Sequence, residues 1–160
     1  MIEPLYIEVL CKLYTALKDS DVNWTLTGSL GQALQGLPLT PHDIDIQTGE
    51  VGAYEIERRF ATCVIRKVAY SATEKIRSHF GALLIDGVQV ELMGDVQKRL
   101  VNGAWEDPVD LQRHTCVVDY KGMRIPVLSL EYECQAYLKL GRIERARMLR
   151  EFIDAHQPGK

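Results

Sequence analysis

At 160 residues, with 46% hydrophobic and 26% charged side chains, the chain has the makeup of one folded domain with a real core, and not of a disordered protein. A formal net charge of −3 argues against bulk, nonspecific binding to nucleic acid, while leaving room for a small anionic substrate whose charge a metal neutralises. No stretch is apolar for long enough to span a bilayer, and Glu3 with an amphipathic pattern stands where a signal sequence would be basic and then apolar, so a cytoplasmic location is expected.

In chain order, Pro4 suits a first helical turn, and Leu5, Val9, Leu13 and Ala16/Leu17 then recur at helical spacing until the polar run Lys18-Asp19-Ser20-Asp21. Trp24 to Leu26 reads as a short strand closed by Gly28. Leu30 to Leu37 reads as a short helix stopped by Gly36 and Pro38. Ile44 and Ile46 alternate with Asp43 and Asp45 as a strand with one apolar face requires. Ala53 to Phe60 resembles a helix and "TCVIRKVAY" a strand, with "SATEKIRSHFG" read as a loop. "FGALLIDGVQVELMG" is a hairpin about Asp86-Gly87, and a second joins "HTCVVDY" to "MRIPVL" through Lys121-Gly122. From Ser129, an N-cap, to residue 156 the chain is expected to be helical with a break near Gly141. Together these elements give an α/β (α+β) fold with a mixed sheet in a single domain over residues 1–160. Cys11, Cys63, Cys116 and Cys134 form no CxxC pair and are expected to be reduced and mostly buried; the four scattered histidines lack the spacing of a zinc site.

Residues two apart on a strand face the same side, about 6.5–7 Å from Cα to Cα, so Asp43 and Asp45 project together. Two ionised carboxylates this close repel, and a divalent cation relieves the repulsion; Mg²⁺ favours a few carboxylates plus substrate phosphate oxygens. "VQVELMGD" alternates likewise, with Val88, Val90 and Leu92 on one face and Gln89, Glu91 and Met93 on the other, so Glu91 completes a triad if the two strands are neighbours. A glycine at a strand-to-helix turn admits a phosphate close to the backbone, and Ser29 adds a hydroxyl donor beside Gly28. Taken singly, Asp-x-Asp also describes the wet face of an edge strand, and Gly-Ser an ordinary turn.

The ordered set "TGSLGQALQG…HDIDI" followed by "VQVELMG" resembles the nucleotidyltransferase superfamily with the DNA polymerase β fold, close to minimal nucleotidyltransferases and to aminoglycoside and lincosamide adenylyltransferases. The motif core spans residues 24–95, and the segment from 129 to 156 resembles the helical tail of the resistance-type enzymes. The resemblance implies an Mg²⁺-dependent transfer of a nucleoside monophosphate from a nucleoside triphosphate, ATP for choice, to an acceptor hydroxyl, with release of pyrophosphate. It implies that Gly28 and Ser29 hold the β- and γ-phosphates, that Asp43 and Asp45 bind Mg²⁺ (two ions with nucleotide bound), and that Glu91 is the third acid, as ligand or general base. Lys139 matches a lysine that in similar enzymes reaches the triphosphate.

The chain also departs from the resistance enzymes. Arg145-Ala146-Arg147 replaces acids that often follow the "GR" of this tail, and no large acceptor-binding domain remains. The acceptor, a small molecule or a protein, is open. A second reading is an antitoxin-like protein that binds or modifies a partner protein; homo-oligomerisation is equally open. An aspartate-based phosphatase fits poorly, because Gln47 fills the slot where its Asp-x-Asp-x-Thr motif needs threonine. Lys75 and Arg77 meet phosphate or acceptor only if their loop borders the cleft. Arg142, Arg145, Arg147 and Arg150 read as a helix surface with Glu144 and Glu151 as partners. Trp105 and Tyr137 read as packing residues.

Overall fold

The computed structural model describes residues 1–156. Helix α1 (Pro4–Leu17) begins on its proline and buries Val9, Leu13 and Leu17 of the predicted stripe together with Leu10, while Leu5, at the first turn, is exposed. Strand β1 (Trp24–Thr27) runs into helix α2 (Gly28–Leu34), then β2 (Ile44–Thr48) and helix α3 (Glu50–Arg59) follow. A single 3₁₀ turn at Ala61–Cys63 leads to β3 (Val64–Ala72), β4 (Ile76–Ile85) and β5 (Val88–Lys98). A one-turn helix α4 (Leu111–His114) precedes β6 (Thr115–Tyr120) and β7 (Met123–Leu128), and the described chain ends in α5 (Leu130–Lys139) and α6 (Ile143–Ala155).

The seven strands form one mixed sheet in the order β3-β4-β5-β2-β1-β7-β6. Both hairpins form where their turn dipeptides stand: Asp86 and Gly87 take φ of 50° and 84°, Lys121 and Gly122 take 48° and 81°, the paired left-handed conformations of a type I′ turn. "SATEKIRSHFG" is not a loop. Ile76 to Phe80 opens β4, whose antiparallel pairing with β3 at Tyr70↔His79 and Ala72↔Arg77 supplies partners that short-range pattern does not reveal. Arg77 accordingly lies over Trp105 (4.4 Å) and bonds Gln97, and Lys75 reaches the Leu140 carbonyl.

One face of the sheet carries the main core, in which Leu26, Ile44, Ile46, Val90, Leu92, Ile125 and Val127 lie fully buried with Leu10 and Leu13 of α1. A smaller cluster of Leu37, Cys134, Tyr137, Ala146 and Leu149 seats α5 and α6. Ser129 caps α5, its Oγ accepting the Tyr132 amide at 3.1 Å. All four thiols are free, but only Cys134 is buried; Cys63 is half-buried, and Cys11 and Cys116 are exposed. The expectation of mostly buried thiols fails because Cys11 lies off the buried stripe of α1 and Cys116 sits on the edge strand β6.

Candidate active site

The face of the sheet opposite α1 holds the acids. β2 buries Ile44, Ile46 and Thr48, so Asp45 and Gln47 turn the other way. β5 lies next to β2 and parallel to it, with Asp45 opposite Glu91 and Gln47 opposite Met93. Asp43 immediately precedes β2. One carboxylate oxygen from each of Asp43, Asp45 and Glu91 lies within 4.8 Å of the other two.

Burial, then the negative charges of Asp43 and Glu91, push the Asp45 carboxyl up to about 8, and a hydrogen bond with Glu91 adds to the effect. Without a cation, Asp45 therefore keeps its proton near neutral pH. Asp45 Oδ1 is buried and has no hydrogen-bond partner. Three converging carboxylates with an orphaned oxygen fit a hard divalent cation that takes oxygen ligands.

Gly28 and Ser29 stand at the β1–α2 junction, and β1 is the other neighbour of β2, with Thr27 opposite Asp45. Gly28 has φ +70°, and a Cβ built on it would stand 2.5 Å from Asp45 Oδ2. Glycine is thus demanded twice, by conformation and by the acid beside it. Its amide is not free for phosphate, because it donates to Glu133 Oε1 at 2.8 Å. Glu133, on α5 and 3% exposed, also accepts from the Thr27 hydroxyl and from Gln32 Nε2 (2.7 Å), tying α5 to the Gly-Ser turn. Burial pushes the Glu133 carboxyl up, and the three donors oppose that. Of the Gly-Ser pair, Ser29 is left to donate, and it lines the same cavity as Asp43 and Asp45.

Lys139 does not join this group. It lies across α5 from the acids, paired with Glu106 at 2.6 Å, in a separate depression with Tyr132 and Gln135. Arg142 and Arg145 are the cations nearest the Gly-Ser turn's cavity instead. Both line the cavity of Ser29 and Asp43, with guanidinium groups 5.0 and 5.7 Å from the centre of the buried Tyr137 ring. Arg145 Nε is buried without a partner, and Arg145 Nη2 contacts Gln32 at 3.4 Å. Of the four arginines expected on a helix surface, Arg147 and Arg150 are there, held by Glu144 and by Glu131 and Asp154; Glu151, the other expected partner, pairs with neither among the described residues.

The family model for aminoglycoside-2″-adenylyltransferase matches residues 9–151. The chain belongs to that family. A protein from Thermotoga maritima provisionally assigned as a nucleotidyltransferase shares 60% identity, covering 98% of this chain and 97% of that one, with a TM-score of 0.86. Lincomycin-bound LnuA, a lincosamide antibiotic adenylyltransferase, superposes with a TM-score of 0.55 at 14% identity, covering 92% and 98% of the two chains. ANT(2″)-Ia in complex with adenylyl-2″-tobramycin gives 0.61 at 12% identity, covering 93% and 90%. These last two establish likeness of fold. No curated protein matches.

Fold and family are those of the nucleotidyltransferases, as the residue pattern implies. This chain spans nearly the full length of both antibiotic-modifying neighbours, so the lack of a large separate acceptor domain does not set it apart from them. Among the described residues, no helix is long and apolar enough to cross a membrane.

Proposed function

We propose that this adenylyltransferase-family protein is an Mg²⁺-dependent enzyme that moves a nucleoside monophosphate from ATP to an acceptor hydroxyl and releases pyrophosphate. The observation that carries the reading is the convergence of Asp43, Asp45 and Glu91 to within 4.8 Å, beside a cavity lined by Ser29, Arg142 and Arg145. Asp43, Asp45 and Glu91 would hold the metal, which supplies charge neutralisation on the attacking and leaving oxygens. Ser29, Arg142 and Arg145 receive the phosphates of the leaving group. Glu91 takes the proton of the acceptor hydroxyl. A bond forms from that oxygen to the α-phosphorus as the bond from phosphorus to the β-phosphate oxygen breaks. Alignment and electrostatics account for most of the work in such a displacement, and Glu133 fixes α5 against the Gly-Ser turn so that the alignment holds.

The test is release of pyrophosphate from ATP, or labelling of protein or solvent with the nucleotide, as a function of Mg²⁺. The activity is expected to need the metal and to vanish in Asp43→Ala. Metal-independent nucleotide binding that Asp43→Ala leaves unchanged, together with co-purification of a partner protein, would favour the antitoxin-like role instead.

The arginines give a second measurement. Arg142→Ala and Arg145→Ala should each raise the KM for ATP by about tenfold, the worth of one charge-assisted hydrogen bond to phosphate. Arg147→Ala, which removes a cation already paired with Glu144 on the surface, should leave KM where it was.

A further inference from the structure

Two cavities meet at the acids, and they differ in kind. Asp43 lines only the one with Ser29 and Arg145; Glu91 lines only the other, of about 240 Å³; Asp45 borders both. In an in-line displacement the attacking and leaving oxygens stand on opposite sides of phosphorus. With pyrophosphate departing on the Ser29–Arg145 side, the acceptor hydroxyl enters from the Glu91 side. The second cavity is then where the acceptor lies.

Its walls are mainly apolar: Ile76, Met93, Val96, Leu128 and Leu140 line it. The acids Asp45, Glu91 and Glu133, the cations Lys98 and Arg142 and the amide of Gln47 interrupt them. Gln47 Oε1 is buried with no hydrogen-bond partner, one strand pitch along from Asp45. Lys98 is 4% exposed; its ammonium, which carries three N–H donors, makes one hydrogen bond, to the Tyr132 hydroxyl at 3.0 Å, lies 5.1 Å from the centre of the Tyr132 ring and pairs with Glu106 at 4.0 Å, beyond hydrogen-bond reach. A buried ammonium with unused donors repels a second cation and favours an oxygen acceptor or a carboxylate. Arg142 adds another positive charge to the same lining. On the reading above the carboxylates of this lining are engaged, Asp45 with the metal, Glu91 with the metal and the acceptor hydroxyl, and Glu133 with Thr27, Gly28 and Gln32. None remains to pair with the ammonium groups of an aminoglycoside.

We infer that the acceptor is a small hydroxyl compound with an apolar body and an uncharged or anionic far end, and that Lys98 is the residue that selects against cations. The inference rests on the nucleotidyltransferase reading above. It also separates this chain from the substrate class that its family description carries.

A matched pair of probes tests it: hydroxyphenylpropionate and tyramine share a ring and a hydroxyl and differ in the charge at the far end. Binding of each to the full chain is measured by calorimetry, with and without Mg²⁺ and a nonhydrolysable ATP analogue. The propionate should bind about tenfold more tightly, as expected for one hydrogen bond to a charged group. Lys98→Met keeps the aliphatic stem and should bring the two affinities to within about twofold of each other, with the affinity for the ATP analogue unchanged. Gln47→Glu, a second variant that does not disturb Lys98, should shift the preference toward tyramine. The inference is overturned if tyramine binds as tightly as the propionate, if neither binds, or if both variants keep the wild-type ratio. A loss of ATP affinity in Lys98→Met assigns the cavity to the nucleobase and overturns it equally. Failure of the parent reading looks different: no Mg²⁺-dependent binding of the ATP analogue, whatever the probes do.

Discussion

Asp45→Asn is expected to abolish nucleotide transfer and, in chelator at pH 8, to make the protein more stable than the wild type. The two effects share a cause. Asp45 sits among two other acids in a buried setting that holds its proton to about 8, against an ordinary value of 3.8. As pH rises through that window the unfolded chain gives up the proton and the folded chain keeps it. Metal-free stability therefore falls between about pH 4 and pH 8, each unit being worth about 1.4 kcal/mol. Below pH 4 both states hold the proton and the cost disappears. Asparagine has the shape without the ionisation, and its amide can donate to Glu91 as the protonated acid does. The variant should melt higher than wild type at pH 8 by roughly 10–20 °C in chelator, and close to wild type at pH 4. Added Mg²⁺ should raise the melting temperature of the wild type, more at pH 8 than at pH 6 because the proton competes, and should do little for the variant. Transfer should fall on the order of 10³-fold. Thermal melts at the two pH values decide the matter: an Asp45→Asn protein that loses stability with rising pH as steeply as wild type removes the electrostatic account of this site.

The acids were legible in the sequence because strand alternation is a strict rule. Ile44 and Ile46, like Val90 and Leu92, must face the core, and that forces Asp45 and Glu91 onto the opposite face whatever the rest of the chain does. That β2 and β5 are neighbours is a long-range fact, and only the order of motifs hinted at it. The helices were harder to read. Glu133, Ala136, Tyr137 and Leu140 share the side of α5 that faces the cleft, at spacings of three and four. Lys139, two places after Tyr137, is rotated about 200° away and meets Glu106 instead.

A signal for the two arginines was available and unused. Arg147 and Arg150 each have an acid three or four residues away, Glu144 and Asp154, whereas Arg142 and Arg145 have none at those positions. A cation with no local partner on an otherwise paired helix calls for a distant one, and here both line the cavity beside Ser29. Glu133 was invisible for a different reason. A buried carboxylate is recognised by its donors, and Thr27, Gly28 and Gln32 lie about a hundred residues away along the chain.

Gly28→Ala is expected to cost transfer activity at least a hundredfold, far beyond what its effect on stability explains. Two penalties fall on the one methyl group. The first is conformational: at φ +70° an alanine costs roughly 1–2 kcal/mol. The second is steric, since the Cβ would stand 2.5 Å from Asp45 Oδ2, closer than two such atoms can approach. Backbone on this side is pinned by the bond from the Gly28 amide to Glu133, and β1 is locked to β2 through Leu26↔Ile46 and Thr27↔Asp45. The carboxylate has to move, and a displacement of about 1 Å at a site that works by alignment is enough for about a hundredfold loss. Gly122→Ala supplies the comparison. Gly122 has φ +81° but nothing within 4 Å of its would-be Cβ, so it carries the conformational penalty alone. The two variants should lose similar stability in urea, while only Gly28→Ala loses Mg²⁺-dependent pyrophosphate release. Equal activities in the pair would mean that Asp45 has room to retreat without consequence, and the close approach of glycine to the acid would then be packing with no part in catalysis.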